Sequence, residues 1–236
     1  MILKKILRLL FDNRCILCGS RKISEKIDMI CNDCLKAFDK KKLIFCRLCG
    51  HPLDDFNQCP SCGKLGKINF DSYVFVQYYT DFIKRIIYML KKDGNFVINK
   101  LFFRLLLYKN IIKKDGIITT VPDNFFRKFK KGRSGLSFLL KMFRRNGFKV
   151  NEKIIHKKLR FFASQKSKTA RKRIEEIKES YFLSDENSNK FKGKVYLIDD
   201  VYTTGSTLNY CSELLKKAGF RNVTAVSFVR AVINSK

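Results

Sequence analysis

The sequence lacks any long apolar segment. No apolar stretch reaches the roughly 18 residues that a membrane-spanning helix needs. The first run, "MILKKILRLLF", is interrupted by Lys4, Lys5 and Arg8 and has no small-residue cleavage site, so it does not fit a secretory signal peptide. Its apolar residues fit one face of a short docking helix. We therefore expect a cytoplasmic protein with no membrane span.

Acidic residues are also scarce. The chain has 21 Asp and Glu against 50 Lys and Arg, which gives a formal net charge of +29. Such a charge favours a polyanionic partner, because counterions are released when Lys and Arg bind phosphates, and this release makes the binding free energy more favourable. The chain is rich in Lys, Ile, Phe and Asn together, however, and AT-biased coding would produce the same composition without any binding function. The charge alone leaves both interpretations open.

Cysteine, in contrast, is plentiful and regularly spaced. Eight of the nine cysteines form four Cys-x-x-Cys pairs in a chain without an export signal, where thiols serve metals rather than disulfides. Two such turns complete a tetrahedral zinc site, so four predict two structural Zn²⁺ ions with no open coordination position. Pairing in sequence order is the simpler arrangement, and an interleaved arrangement is the alternative. The predicted ligands are Cys15, Cys18, Cys31, Cys34, Cys46, Cys49, Cys59 and Cys62.

Residues next to these pairs support the same interpretation. Gly19, Gly50 and Gly63 follow three of the pairs, where a metal-binding turn often requires a positive φ. His51 could replace a ligand, but a full set of cysteines is available, so we expect it to stay outside the metal set. Cys211 stands alone at an amphipathic helical position and is expected to pack in the core.

The segment "VYLIDDVYTTGST", residues 195–207, carries the strongest functional signal. Its apolar start predicts a buried strand that stops at Asp199 and Asp200, and a helical pattern follows and ends at Gly219. The next strand, "NVTAVSFVRAV", makes the unit one of the parallel-sheet type. Hydroxyls and backbone N–H groups at a helix N-terminus suit one phosphate group, and the carboxylates suit sugar hydroxyls. The predicted phosphate-binding residues are Thr203, Thr204, Gly205, Ser206 and Thr207.

Two simpler interpretations compete with a sugar-phosphate site. An Asp-Asp strand end can precede an ordinary capped helix, and acidic strand ends also occur in phosphohydrolase and response-regulator pockets. The residues of the motif favour the sugar-phosphate site, because they resemble the signature of type I phosphoribosyltransferases. In that family the two acidic residues, here Asp199 and Asp200, hold the ribose hydroxyls of phosphoribosyl pyrophosphate, and the Thr/Gly/Ser loop binds its 5′-phosphate.

The run "DDVYTTGST", together with the cysteine pairs at the other end of the chain, is similar to the ComF family of competence-associated proteins. The resemblance implies an α/β fold, with a type I phosphoribosyltransferase-like parallel sheet flanked by helices and preceded by a small double zinc-ribbon module. Residues 1–66 would hold an N-terminal helix and the double ribbon, and residues 67–236 the phosphoribosyltransferase-like domain.

The middle of the chain continues the resemblance. We predict a strand "SYVFVQYY", a helix from about Phe96 to Tyr108 and a strand from Gly116 to Pro122. "IITTVPDNFFRKFKKG" looks like the family's pyrophosphate loop, and "SQKSKTARKRIEEIKESYF" looks like its mobile hood. Both segments could instead be solvated basic surface. The implied contacts are Pro122, Asp123, Asn124, Arg127 and Lys128 in the loop and Gln165 and Arg173 in the hood.

The resemblance implies a ComF-like protein that binds phosphoribosyl pyrophosphate with Mg²⁺ and acts in DNA uptake or related DNA handling. Single-stranded DNA and a helicase-like competence ATPase are the implied partners. The alternative is an active phosphoribosyltransferase that transfers phosphoribose to a nitrogen acceptor. The family's Arg-Gly-aromatic-Asn-Gln run is replaced by "KGRSG" here, and Glu176 stands where Asn is usual. The acceptor therefore stays open.

Overall fold

The fold is seen in a computed structural model that describes residues 14–38, 44–53, 59–63, 66–93, 96–122, 135–158, 170–183 and 190–232. Residues 1–11, expected to form a docking helix, lie outside these ranges. The helices are α1 Asn32–Lys36, α2 Pro60–Gly63, α3 Asp81–Asp93, α4 Phe96–Tyr108, α5 Gly135–Arg145, α6 Ala170–Ser180 and α7 Ser206–Lys217. The strands are β1 Ser72–Tyr78, β2 Ile117–Thr120, β3 Lys149–Val150, β4 Ile155–Lys157, β5 Tyr181–Leu183, β6 Lys194–Tyr202 and β7 Asn222–Arg230.

A five-stranded sheet forms the centre of the molecule. Its order is β1-β7-β6-β2-β3, and every pairing in it is parallel. Strands β4 and β5 form a separate antiparallel pair. The predicted α/β fold with a parallel sheet flanked by helices is therefore confirmed. No helix within the described ranges combines the length and the apolar character that crossing a membrane requires.

Alternation along the central strands builds two apolar layers. On β6, Val195 and Leu197 join the cluster that contains α7, whereas Tyr196 and Ile198 join the cluster that contains α4 and α5. Successive side chains of a strand point to opposite faces, so these two clusters are the two faces of the sheet. Both faces are covered, as is usual for parallel sheets, and this explains the nearly continuous burial of β6 and β7.

The predicted end of β6 was wrong. The strand does not stop at Asp199 and Asp200 but continues to Tyr202. Its neighbour β7 keeps pairing with it, with Val201 opposite Val229 and Tyr202 opposite Arg230, after β2 on the other side has ended. The carboxylates therefore lie within the last part of a strand. The other predicted elements are confirmed with small shifts: α4 spans the expected residues, and β2 is shorter than the predicted strand.

The cysteine-rich segment covers edge strand β1 from both sides. Cys15, Cys31 and Cys34 belong to the cluster on the α4 face, and Cys49 belongs to the cluster on the α7 face. The Gln77 side chain donates to the carbonyl of Ala37 at 2.8 Å, and the Tyr78 hydroxyl donates to the carbonyl of Gly50 at 3.1 Å. The two cysteine modules thus lie on opposite faces of the sheet. The predicted division of the chain at residues 66 and 67 stays a prediction.

Candidate metal centres and phosphate-binding loop

The first four cysteines form one compact group. The sulfurs of Cys15, Cys18, Cys31 and Cys34 lie within 4.8 Å of one another. The first turn is closed by the Gly19 N–H, which donates to the Cys15 carbonyl at 2.8 Å, and Gly19 has a φ of 75°. Helix α1 starts directly after Cys31 and carries Cys34, so a turn supplies the first pair of ligands and the start of a helix supplies the second. The predicted positive φ at Gly19 is confirmed.

The last four paired cysteines form a second group of the same kind. The sulfurs of Cys46, Cys49, Cys59 and Cys62 also lie within 4.8 Å of one another. Gly50, with a φ of 66°, donates its N–H to the Cys46 carbonyl at 2.8 Å and repeats the first turn. The positive φ predicted for Gly63 was wrong, because this residue ends helix α2.

Both groups fit zinc. Zinc–sulfur bonds of about 2.3 Å in a tetrahedron place sulfurs about 3.8 Å apart, and the closest sulfur pairs are 3.4 to 3.6 Å apart. Burial, reinforced by the neighbouring thiols, raises the pKa of Cys34 and of Cys62. A bound metal ion would stabilise the thiolate form of all four cysteines in each group. These are two structural zinc sites, paired in sequence order as the simpler arrangement predicted.

His51 does not belong to either ligand set. Its backbone carbonyl accepts a hydrogen bond from the Cys46 N–H at 2.8 Å, so it shapes the second metal-binding turn through its main chain. Four thiolates fill each site and leave no position at which the metal could activate water. Zinc held in this way would be structural.

The predicted phosphate loop is a tight turn between β6 and α7. Residues 203–205 form the turn, and Gly205 is the N-cap of α7 with a φ of 81°. Thr203 and Thr204 are exposed, and the Thr204 and Ser206 hydroxyl oxygens lie 3.1 Å apart. The N–H groups of the first helical turn lie beside these hydroxyls at the carboxyl edge of the sheet, and the Ser206 N–H donates to the Thr204 hydroxyl oxygen at 3.4 Å. That arrangement suits an anion, because the N-terminus of a helix carries partial positive charge.

The two predicted ribose-binding carboxylates lie just before this turn. Asp199 and Asp200 are half-buried, and the Asp200 N–H donates to the Asp199 carboxylate at 2.8 Å. Val195 and Leu197 face α7, so alternation along β6 puts Asp199 on the same side of the sheet. Burial raises the pKa of the Cys211 thiol on α7, and the Asp199 carboxylate raises it further. Cys211 itself is fully buried in the core, as predicted.

The other predicted contacts are placed only in part. The Val121 N–H donates to the Ile198 carbonyl at 3.0 Å, so the chain reaches Pro122 beside the acidic pair. Arg173 lies in α6, which packs against α7. A groove of about 480 Å³ opens between α6 and α7, and Ser206 is one of its lining residues. Asp123, Asn124, Arg127, Lys128 and Gln165 lie outside the described residues.

Comparison with known proteins finds a family model for the cysteine-rich segment and relatives that match most of the chain. Residues 6–64 match the family model of the double zinc ribbon domain. Competence protein F of Haemophilus influenzae is 28% identical over 230 residues, which cover 94% of this chain and 98% of that protein. Competence protein ComFC of Streptococcus pneumoniae is 24% identical, with 92% of this chain and 100% of that protein covered. ComFC of Bacillus subtilis is also 24% identical, with 86% and 85% covered.

Together these matches support a ComF family assignment for the chain. The resemblance noted in the motif around Asp199 and in the cysteine pairs is thereby confirmed. The similarity to the competence proteins covers 86–94% of the chain and is not limited to the cysteine-rich segment.

Sequence reasoning missed one residue that connects the two halves of this ComF protein. Arg230, at the end of β7, is 1% exposed. Its guanidinium donates to the carbonyls of Cys49 and Thr203, each at 2.8 Å. It also donates to the Ser61 hydroxyl at 3.0 Å and to the Ala231 carbonyl. One side chain therefore bonds both the second zinc module and the first residue of the phosphate loop.

Tyr202 lies beneath the turn at residues 203–205. Its ring lies 4.5 Å from the guanidinium carbon of Arg230 and 4.5 Å from the centre of the Tyr73 ring. Its hydroxyl is buried and has no hydrogen-bond partner among the described residues. Burial raises the pKa of Tyr202, and the nearby Cys49 adds to the effect, so the hydroxyl stays neutral.

The sequence did contain a signal for Arg230, because it is the one cation in the apolar run "NVTAVSFVRAV".

Proposed function

We propose that this ComF-family chain is a competence-associated protein that binds phosphoribosyl pyrophosphate at the carboxyl edge of its sheet. The observation that carries the proposal is the turn at residues 203–205. It brings exposed hydroxyls and the N-terminus of α7 directly after two half-buried carboxylates at the end of β6. In open α/β sheets, ligands bind outside the carboxyl ends of the strands.

Each part of the ligand has a matching group. The 5′-phosphate would accept hydrogen bonds from the N–H groups of the first turn of α7 and from the hydroxyls of Thr203, Thr204, Ser206 and Thr207. The ribose diol would donate to Asp199 and Asp200. Mg²⁺ would arrive with the pyrophosphate and offset its charge. Arg127 and Lys128, which follow Pro122 in the sequence, would add cations there.

Binding and turnover are separate properties, because the pocket residues account only for donor binding. Transfer of phosphoribose to a nitrogen acceptor would release pyrophosphate in a stoichiometric amount. We propose that the chain binds the donor. Release of pyrophosphate from the bound donor would show that it is also a catalyst.

A second part of the proposal concerns nucleic acid. We propose that the chain also contacts single-stranded DNA, in line with a role in DNA uptake alongside a helicase-like ATPase. Two observations favour this: the formal charge of +29, and the similarity to competence proteins over almost the whole chain. Charged groups on such a protein steer a polyanion towards its surface.

Calorimetric titration of the zinc-loaded full chain with phosphoribosyl pyrophosphate and Mg²⁺ tests the first part. We expect the Asp199→Asn/Asp200→Asn variant to bind at least roughly 100-fold more weakly, because two hydrogen bonds to charged groups are worth about 1.5–3 kcal/mol each. The matched control is Asp28→Asn/Asp33→Asn, which removes two carboxylates from the first zinc module. No heat with the wild type, or equal affinity in the Asp199/Asp200 variant, would rule the pocket out.

A further inference from the structure

We propose that Arg230 is a positioning residue that fixes the phosphate loop to the second zinc module, so that zinc at the second site, and not at the first, supports phosphate binding. The ligand half of this inference rests on the function proposed above. The zinc half does not, because it concerns only contacts within the chain.

The hydrogen bonds of Arg230 define the link. Its Nε donates to the carbonyl of Cys49, a ligand of the second site, and one terminal nitrogen donates to the hydroxyl of Ser61, next to the ligand Cys62. The other terminal nitrogen donates to the carbonyl of Thr203, at the start of the phosphate loop. A planar guanidinium holds its donors in a fixed fork, so a shift of the zinc module changes the geometry at Thr203.

Charge gives a second reason for the link. A buried guanidinium is costly unless its charge is offset. Within the described ranges, no carboxylate forms an ion pair with Arg230. A Zn²⁺ ion with four thiolates carries two net negative charges, and Arg230 is held beside the second centre by its bonds to the Cys49 carbonyl and the Ser61 hydroxyl. Loss of that zinc would leave the guanidinium buried without its counter-charge.

Among the residues that the structure describes, no hydrogen bond joins the first zinc module to the loop at Thr203. The module packs on the opposite face of the sheet, where the Gln77 amide donates to the Ala37 carbonyl and Arg104 lies 3.8 Å from Asp28. Neither contact involves the phosphate loop. Removing the first zinc should therefore lower the stability of that face without a specific effect on the loop.

The coupling must be reciprocal. If zinc at the second site favours the loop conformation that binds phosphate, then a bound phosphate ligand must favour retention of that zinc by the same factor. Coupling of this kind usually changes affinity by about 5- to 150-fold. The first zinc should not respond to the ligand.

The test compares Arg230→Met, Arg230→Lys and the matched control Arg104→Met with the wild type. Affinity for phosphoribosyl pyrophosphate with Mg²⁺ is measured by calorimetry, and zinc release is followed with a chromogenic chelator. Because Cys18→Ser disrupts the first site, the zinc released from this variant identifies the release phase of the second site. We expect Arg230→Met to bind the ligand about 5- to 150-fold more weakly and to release the second zinc faster. Arg230→Lys keeps the charge but loses the fork and should be intermediate, and Arg104→Met should keep wild-type affinity.

Wild-type protein alone provides a further test that needs no variant to fold. Added phosphoribosyl pyrophosphate should slow release of the second zinc and leave the first unchanged. Equal slowing of both phases, no slowing despite ligand binding, or wild-type affinity in Arg230→Met would overturn the inference. If the wild type binds no ligand, the proposed function fails, while faster release of the second zinc from Arg230→Met would still support the anchoring of Arg230 to that module.

Discussion

At the scale of single residues, Gly205 is the most constrained position of the phosphate loop. Its φ is 81°, and a Cβ built on it would lie 2.2 Å from the Tyr202 hydroxyl oxygen and 2.3 Å from the ring carbon that bears it. The ring cannot move aside easily, because Tyr202 is buried between Tyr73 and Arg230. Glycine is therefore required here for two separate reasons, its backbone conformation and the close approach of the ring.

We predict that Gly205→Ala is clearly more destabilising than Gly193→Ala. Gly193 has a φ of 86° but no heavy atom within 4 Å of its Cβ position, so it reports the backbone cost alone. That cost is roughly 1–2 kcal/mol, and the forced contact with Tyr202 should add about 1–3 kcal/mol. Urea denaturation of the zinc-loaded proteins measures the difference. Equal losses of stability in Gly205→Ala and Gly193→Ala would mean that the Tyr202 ring moves aside without cost. Tyr202 would then not be a rigid support for the loop.

The same scale shows where sequence reasoning succeeded and where it failed. Cys-x-x-Cys spacing predicted all eight zinc ligands, because ligand geometry is local to each turn. Arg230 was overlooked, because its partners Cys49, Ser61 and Thr203 are brought to it by three different segments. No spacing rule contains such a contact. A positive φ was expected at Gly63 because it follows a Cys-x-x-Cys pair as Gly19 and Gly50 do, but Gly63 and the preceding Cys62 lie in helix α2.

At the scale of elements, β6 shows why strand ends are difficult to predict. A polar pair after an apolar run usually marks a loop, yet the backbone of β6 continues to pair with β7 as far as Tyr202. Side-chain polarity reports burial, whereas strand length is set by the neighbouring strand. The longer β6 brings Tyr202 under the loop and places Tyr202 opposite Arg230 in the sheet.

Helix α7 depends on Asn209 for its attachment to the segment that leaves the second zinc module. The Asn209 side chain accepts from the Asn69 N–H at 2.7 Å and donates to the Lys67 carbonyl at 2.8 Å. Asn209→Ala should cost about 1–3 kcal/mol, because it leaves these backbone groups without their partner. Glu213→Ala is the control on the same helix, where loss of the exposed pair with Lys217 should cost at most about 0.5 kcal/mol. Thermal unfolding measures both, and similar shifts would contradict the role given to Asn209.

At the scale of the whole molecule, the zinc modules complete the core of the domain. Edge strand β1 presents Tyr73 and Phe75 to one face and Val76 to the other, and cysteine-module residues join both clusters. Gly50 shows how close this packing is, since a Cβ there would lie 2.5 Å from the Phe75 ring. The sequence predicted two zinc modules and a parallel sheet. It could not predict that the modules lie on opposite faces, because that depends on the path of the chain around β1.

Net charge is also a property of the whole molecule, and it leads to the last prediction. Composition bias would spread Lys and Arg over all surfaces, whereas a DNA site would concentrate the effective cations near one edge. Arg127 and Lys128 follow Pro122, which lies at the carboxyl edge of the sheet. Lys190 and Lys192 are exposed and precede β6, at the opposite edge. The two pairs therefore form matched sets for removal of two charges.

We expect the affinity for a single-stranded oligonucleotide to fall with salt, with a slope of about −0.7 per phosphate contact in a plot of log K against log salt concentration. Arg127→Gln/Lys128→Gln should weaken binding and reduce the steepness of this slope by about 1.4, the value for two lost contacts. Lys190→Gln/Lys192→Gln should leave the slope unchanged. Fluorescence anisotropy at several salt concentrations measures all three proteins. A wild-type slope near zero, or equal effects of the two double variants, would show that the positive charge is compositional and that DNA contact at this edge does not occur.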